Sequence, residues 1–305
     1  MQYCLFTTDV ETTSIWFNAL RDETGLKVLQ EGMPLLLDIY ARRGVRTTFF
    51  FTGYIAGLYP DVVRMVLKDE HEVGSHGKSH LPENGFDVMP YEKQKRHLEY
   101  TKKLLEDISG QKIISFRAPA LRVGEHTARA LLETGHKIDS SVASQRFDFF
   151  LSFGGMNKLK WLTAPRKPYR TSPNSLFKKG PGPLVEVPLS ALFLPYVGTT
   201  MRIFPSITSL QRWGFHWESR LTGKPVVFDI HPNELIDESN EKRVVQKRSK
   251  NPVTAILKDE LRSKLKIKNL GPQAVPLYER EMEFYRARGY EFTPVRDYCE
   301  KLGLL

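Results

Sequence analysis

The chain has 305 residues, 41% of them hydrophobic and 26% charged, with a formal net charge of +10. This composition excludes global disorder, and no apolar run reaches the roughly 20 residues that a membrane-spanning helix needs. The length suits a barrel folded as one unit over residues 1–305, and the positive charge calls for an acidic partner, such as an anionic membrane surface or a phosphorylated substrate.

The first predicted element is a strand over Tyr3-Cys4-Leu5-Phe6, and Asp9 and Glu11 lie just past it. Nothing in Met1-Gln2-Tyr3-Cys4 reads as a secretion signal, so a cytoplasmic protein is expected, at most peripheral at the inner face of the membrane. Cys4 and Cys299 are expected to be buried free thiols. A helix over 33–43 ends at Gly44, and the β-branched and aromatic run Val45 to Phe51 predicts a second strand. A short helix near 60–69 leads to a strand over 72–75. A helix over about 90–107 leads to a strand over 112–116, and one over about 125–134 to a strand over 136–138. Between 144 and 183 the rhythm fails in a long loop, and strands resume at 184–189 and 226–230. Residues 240–275 read as a basic insertion: ten Lys and Arg between 242 and 268 stand against Asp259 and Glu260 alone. Its plainest reading is a solvated loop, with anionic lipid as the functional alternative. A helix over 277–288 and a strand near 290–292 close the chain. The alternation predicts an α/β fold, a distorted (β/α) barrel with about seven parallel strands.

In such a barrel the chemistry gathers at the C-terminal ends of the strands. Asp9 and Glu11 leave the first strand, His76 and His80 the third, Arg117 the fourth, Asp139 the fifth, and His231 the late strand. Two imidazoles four residues apart can face the same way on a helical turn. With one carboxylate they make a set that can hold a divalent ion and leave it open to water. His71, His97, His126, His136 and His216 lack carboxylate partners of this kind and are expected at the surface or behind the site.

The blocks Asp9-Val10-Glu11, Ser75-His76 to His80, Phe116-Arg117-Ala118-Pro119, Asp139-Ser140-Ser141 and Ile230-His231-Pro232 follow the order and spacing of a known family. The chain resembles the polysaccharide deacetylases, also called the NodB-homology or carbohydrate esterase family 4 group, over residues 1 to about 238 and again at 277–296. The resemblance implies that Asp9 is the general base and Arg117 orients it. It implies that Glu11, His76 and His80 hold a divalent metal, zinc being the expected ion, and that His231 is the general acid. Asp139 would help line the site, and a backbone N–H near Ala120 would receive the oxyanion. Glu11 stands where the family usually has a second Asp.

The implied activity is metal-dependent removal of an N-acyl group, acetyl foremost, from an amino sugar of a glycan or of a lipid- or nucleotide-linked precursor. Removal of formyl, or opening of another linear or cyclic amide, is the enzymatic alternative. A non-catalytic glycan-binding protein is the other, although binding alone requires no combination of Asp9, Arg117 and His231. Nucleic acid is not expected as a partner, and a homo-oligomer is compatible with the sequence.

Overall fold

Residues 1–147, 160–243 and 262–305 are described by a computed structural model. Six parallel strands lie side by side in chain order: β1 (Tyr3–Val10), β2 (Thr48–Phe51), β3 (Glu72–Ser75), β4 (Ser115–Phe116), β5 (Ile138–Asp139) and β6 (Val185–Glu186). The seventh, β7 (Val226–Ile230), returns to the free edge of β1, again in parallel. The curled sheet is a distorted barrel. Its seam between β6 and β7 is bridged by the chain leaving β6, where Ser190 N donates to Val227 O at 3.1 Å and Val227 N to Ser190 Oγ at 3.0 Å.

The two-residue period of a strand sorts β1 into two faces. Cys4, Phe6 and Val10 point outward into an apolar layer shared with Met33, Leu36, Ile39 and Tyr40 of the helix Met33–Ala41. Phe6 stacks on Phe228 with centroids 5.0 Å apart, and burial of a side chain this size contributes about 1.5–3 kcal/mol. Leu5, Thr7 and Asp9 point inward. The register pairs Leu5 with Val227 and Thr7 with Asp229, so the interior passes from an apolar floor to a polar layer and then to the mouth.

Several elements differ from the sequence reading. β1 runs on to Val10, so Asp9 belongs to the strand and only Glu11 lies past it. The helices Gly198–Ile203 and Pro205–Thr222 were not expected. The irregular stretch holds a helix, Lys160–Thr163, and a hairpin, Tyr169–Ser172 with Ser175–Lys179, which extends the sheet antiparallel from β6. Of the basic insertion, residues 244–261 lie outside the described residues, and so does most of the expected lipid contact. Cys4 and Cys299 are free and buried. Among the described residues no helix is long and apolar enough to cross a membrane.

Candidate active site

Arg117 is fully buried at the end of β4 and ties the polar layer together. Its Nη1 lies 3.1 Å from Asp9 Oδ1, 2.7 Å from Asp229 Oδ1 and 2.7 Å from Thr7 Oγ1. Nε and Nη2 donate to Ser140 O and Ser140 Oγ at 3.0 and 2.9 Å, and the guanidinium lies 4.6 Å from the Phe50 ring centroid. One cation thus serves two carboxylates. Burial works to raise Asp9, but His76, Arg117 and His231 hold its carboxyl below the usual value. Burial and the neighbouring Asp9 charge push Asp229 the other way, despite Arg117.

His76 and His80 leave β3 on an irregular segment rather than the expected helical turn. Gly77 makes this turn at φ +64°, and a Cβ there would stand 3.0 Å from the Phe86 ring. His76 Nδ1 lies 2.8 Å from Arg117 O. A carbonyl oxygen only accepts, so Nδ1 carries the proton and neutral His76 presents a bare Nε2. Burial, ahead of the opposing pull of Asp9, brings this imidazole down to about 4, so it is neutral at pH 7. Its Nε2 faces His80 Nε2 at 2.9 Å and Asp9 Oδ2 at 3.5 Å. His80 Nε2 in turn lies 2.7 Å from Glu11 Oε2.

Two imidazole nitrogens and a carboxylate oxygen therefore meet in series, with the inner histidine fixed by a backbone carbonyl. This donor chemistry fits a divalent ion such as zinc. Asp9, Asp229 and His231 also offer donor atoms within 4.8 Å of one another. There, however, Arg117 Nη1 already sits against both carboxylates, and its charge opposes a second cation.

His231 follows β7 and is 22% exposed on its side chain. Its Nε2 lies 3.8 Å from Glu11 Oε1, and its Nδ1 lies 3.1 Å from Glu234 Oε1 and 4.0 Å from Asp229 Oδ2. Burial works against its charge, but the Glu234 hydrogen bond and the charges of Asp229 and Glu11 hold the imidazole above its usual value. Glu234 is a partner of this ring that the sequence reading missed. The available signal was a Glu three residues on, inside a turn opened by Pro232.

Asp139 is not at the mouth. It pairs in register with Phe116 and Glu186, one residue below Arg117, and is fully buried. Ser141 Oγ donates to its Oδ1 at 2.5 Å, and its carboxyl meets that of Glu186. His71, His136 and His216 are buried rather than superficial and stand away from the mouth, against Thr47 N, Thr134 and Tyr290 respectively.

A cavity of about 600 Å³ opens over Asp9, Glu11, His80, Asp229 and His231, walled on one side by Leu189, Leu194 and Val197. Ala120 and Leu121 border it with φ of 53° and 56°. Consecutive left-handed residues with side chains cost of order 1–3 kcal/mol each and gather at functional sites. The Leu121 and Arg122 N–H groups close the turn onto Ala118 O and Pro119 O. Among the described residues the Ala120 N–H has no such partner.

Residues 12–138 match the sequence model of the family described as polysaccharide deacetylase. A peptidoglycan deacetylase of Helicobacter pylori is 26% identical over 146 residues, which are 46% of this chain and 49% of that protein. The chain thus spans about half the length of this relative. Among solved structures, a putative polysaccharide deacetylase from Mycobacterium smegmatis superposes with a TM-score of 0.64 at 17% identity, covering 98% of this chain and 90% of that one. PuuE allantoinase gives 0.60 at 16% identity, covering 97% and 88%. Both share the barrel. The family match over 12–138 lies on this barrel and carries the His76, His80 and Arg117 blocks, so over that stretch the chain is similar to the polysaccharide deacetylases.

Proposed function

We propose that the protein is a metal-dependent hydrolase that removes an N-acetyl group from an amino sugar of a glycan or glycan precursor. The observation that carries this reading is the meeting, at one cavity, of Asp9 clamped by Arg117, the Glu11–His80–His76 series, and His231. The peptidoglycan deacetylase relative supports an amino-sugar substrate.

Glu11, His76 and His80 would hold the metal, and zinc suits two imidazoles with one carboxylate. When bound, the ion polarises the acyl carbonyl and lowers the pKa of water toward ~7. Asp9 is the base. Arg117 engages its Oδ1 and keeps the carboxylate ionised, so Oδ2, on the His76 side, can take a proton from the attacking water. The Ala120 N–H is the donor for the oxyanion that forms as water adds to the carbonyl. His231 is the acid, giving the Nε2 proton to the departing amine, which is too basic to leave as an anion. The apolar wall of Leu189, Leu194 and Val197 covers the acyl methyl and excludes water from that side.

The test is acetate release from purified protein on a panel of N-acetylated sugars, chitin oligomers, peptidoglycan fragments and nucleotide-linked amino sugars, with formamides and cyclic amides alongside. Acetate release that chelation abolishes and zinc restores is the expected result. Formate release or ring opening in its place would move the activity to another amide. Binding of an oligomer with no release from any substrate would leave a glycan-binding protein.

A further inference from the structure

Glu234 is fully buried three residues beyond His231 and is gripped from both sides. Its Oε2 accepts from Arg202 Nε at 2.5 Å, and Arg202, itself fully buried, donates through Nη1 to Lys266 O and Lys268 O at 2.8 and 2.9 Å. The other oxygen, Oε1, is the one that faces His231 Nδ1. At Gly198, the start of the helix carrying Arg202, a Cβ would stand 2.5 Å from Oε1 and 2.7 Å from Oε2. The backbone therefore closes on this carboxylate so tightly that only glycine leaves room for it. Asp229, at 4.0 Å, is too far to hydrogen-bond the ring.

We propose that Glu234, fixed by Arg202 and given room by Gly198, is the positioning residue of His231: it accepts the Nδ1 hydrogen bond and so turns Nε2 toward the cavity. This rests on the acid role given to His231 above. A carboxylate oxygen only accepts, so it selects the ring form with hydrogen on Nδ1. The side chain would act through His231 and touch no substrate. A merely structural Arg202–Glu234 pair would staple the helix to the turn without setting the ring's protonation.

The readout is nitrogen-15 NMR of imidazole-labelled protein as purified, with His231 assigned by difference from His231→Ala. The native protein should show a hydrogen-bonded Nδ1 proton protected from exchange. In Glu234→Gln the one amide oxygen goes to Arg202 and the NH₂ faces the ring, so the proton should move to Nε2. Gly198→Ala keeps every charge but displaces the carboxylate. There the Nδ1 proton should exchange at least 10-fold faster. In both variants kcat for acetate release should fall 10-fold or more, with KM within about twofold. A native Nδ1 signal persisting in both variants would overturn the positioning role. A lost signal with unchanged acetate release would leave Glu234 as the positioning residue and remove His231 as the acid. If the native protein releases no acetate, the proposed activity fails and the NMR comparison still decides the role of Glu234. Should Glu234→Gln fail to fold, Gly198→Ala decides alone.

Discussion

The barrel interior holds two buried carboxyl pairs, and they are kept in opposite ways. Asp9 and Asp229, on adjacent strands β1 and β7, share one guanidinium nitrogen of Arg117. Asp139 and Glu186, in register on β5 and β6, make no salt bridge among the described residues, and there Asp139 Oδ2 and Glu186 Oε2 each lack a donor. Two acceptors can meet only if a proton lies between them. Accordingly burial, reinforced by the partner's charge at Glu186, raises both members of the second pair, while Asp9 in the first is held low. At the mouth the direct contact with Arg117 goes with one charged carboxyl, Asp9, while burial and the Asp9 charge push Asp229 up. Behind it, Arg117 acts on Asp139 and Glu186 only through its charge and does not outweigh their burial.

The largest test of this contrast is Arg117→Met. Removing one partner from a buried ion cluster costs about 3–5 kcal/mol, and Asp9 would no longer be held ionised. Chemical denaturation should show that loss, with acetate release down on the order of 10³-fold. Native stability in the variant would mean that Asp9 does not depend on Arg117, and the distinction between the pairs would collapse.

His80→Ala tests the histidine side of the mouth. It should lose most of any bound divalent ion together with several kcal/mol of transition-state stabilisation, on the order of 10³-fold in rate, while the Arg117 clamp and the fold persist. Metal analysis and circular dichroism read the two parts separately. Full metal content in the variant would move the ion to the Asp9, Asp229 and His231 group.

The first pair and its surroundings were legible because strand ends are. Asp9, Arg117 and His231 come at or just after apolar runs that read as inner strands, His76 follows the short strand Glu72–Ser75, and a parallel barrel brings those ends together. Asp139 was misread for want of register: β5 is two residues long, and only its pairing with Phe116 shows that it stops below Arg117. The helix Pro205–Thr222 was hidden because its outer face carries Leu210, Trp213, Trp217 and Leu221, all exposed, which blurs the apolar period. Without that helix pair the sequence offers no reason to bring Arg202 to Glu234. Contacts between residues far apart in the chain depend on tertiary packing that no local pattern encodes.

His231→Ala separates acid from base at the mouth. The acid works protonated, so activity falls as pH rises through its pKa, which Glu234, Asp229 and Glu11 hold above the ordinary imidazole range. The base works ionised, so activity falls as pH drops through the low value of Asp9. The variant should keep its metal, lose on the order of 10²-fold in kcat and lose the alkaline limb alone. An alkaline limb that survives would assign the acid to another group.

The smallest effect is the most specific to the second pair. Asp139 and Glu186 have folded pKa values above their unfolded ones, near 4. Over the interval between those values the folded state binds more protons than the unfolded state. Stability is therefore highest below about pH 4 as far as this pair is concerned, and is lost as pH rises toward the folded values, by about 1.4 kcal/mol for each unit of separation. Glu186→Gln supplies a permanent N–H donor where the proton had been. Asp139 can then ionise as an acceptor, and this part of the pH dependence should vanish. Melting temperatures from pH 5 to 9 should fall more steeply in the native protein than in the variant, which should gain about 1 kcal/mol at the alkaline end. Acetate release should change less than twofold, because neither carboxyl reaches the cavity. A parallel pair of stability curves would show that the two carboxyls hold no proton between them, and a large loss of activity would return Asp139 to the site.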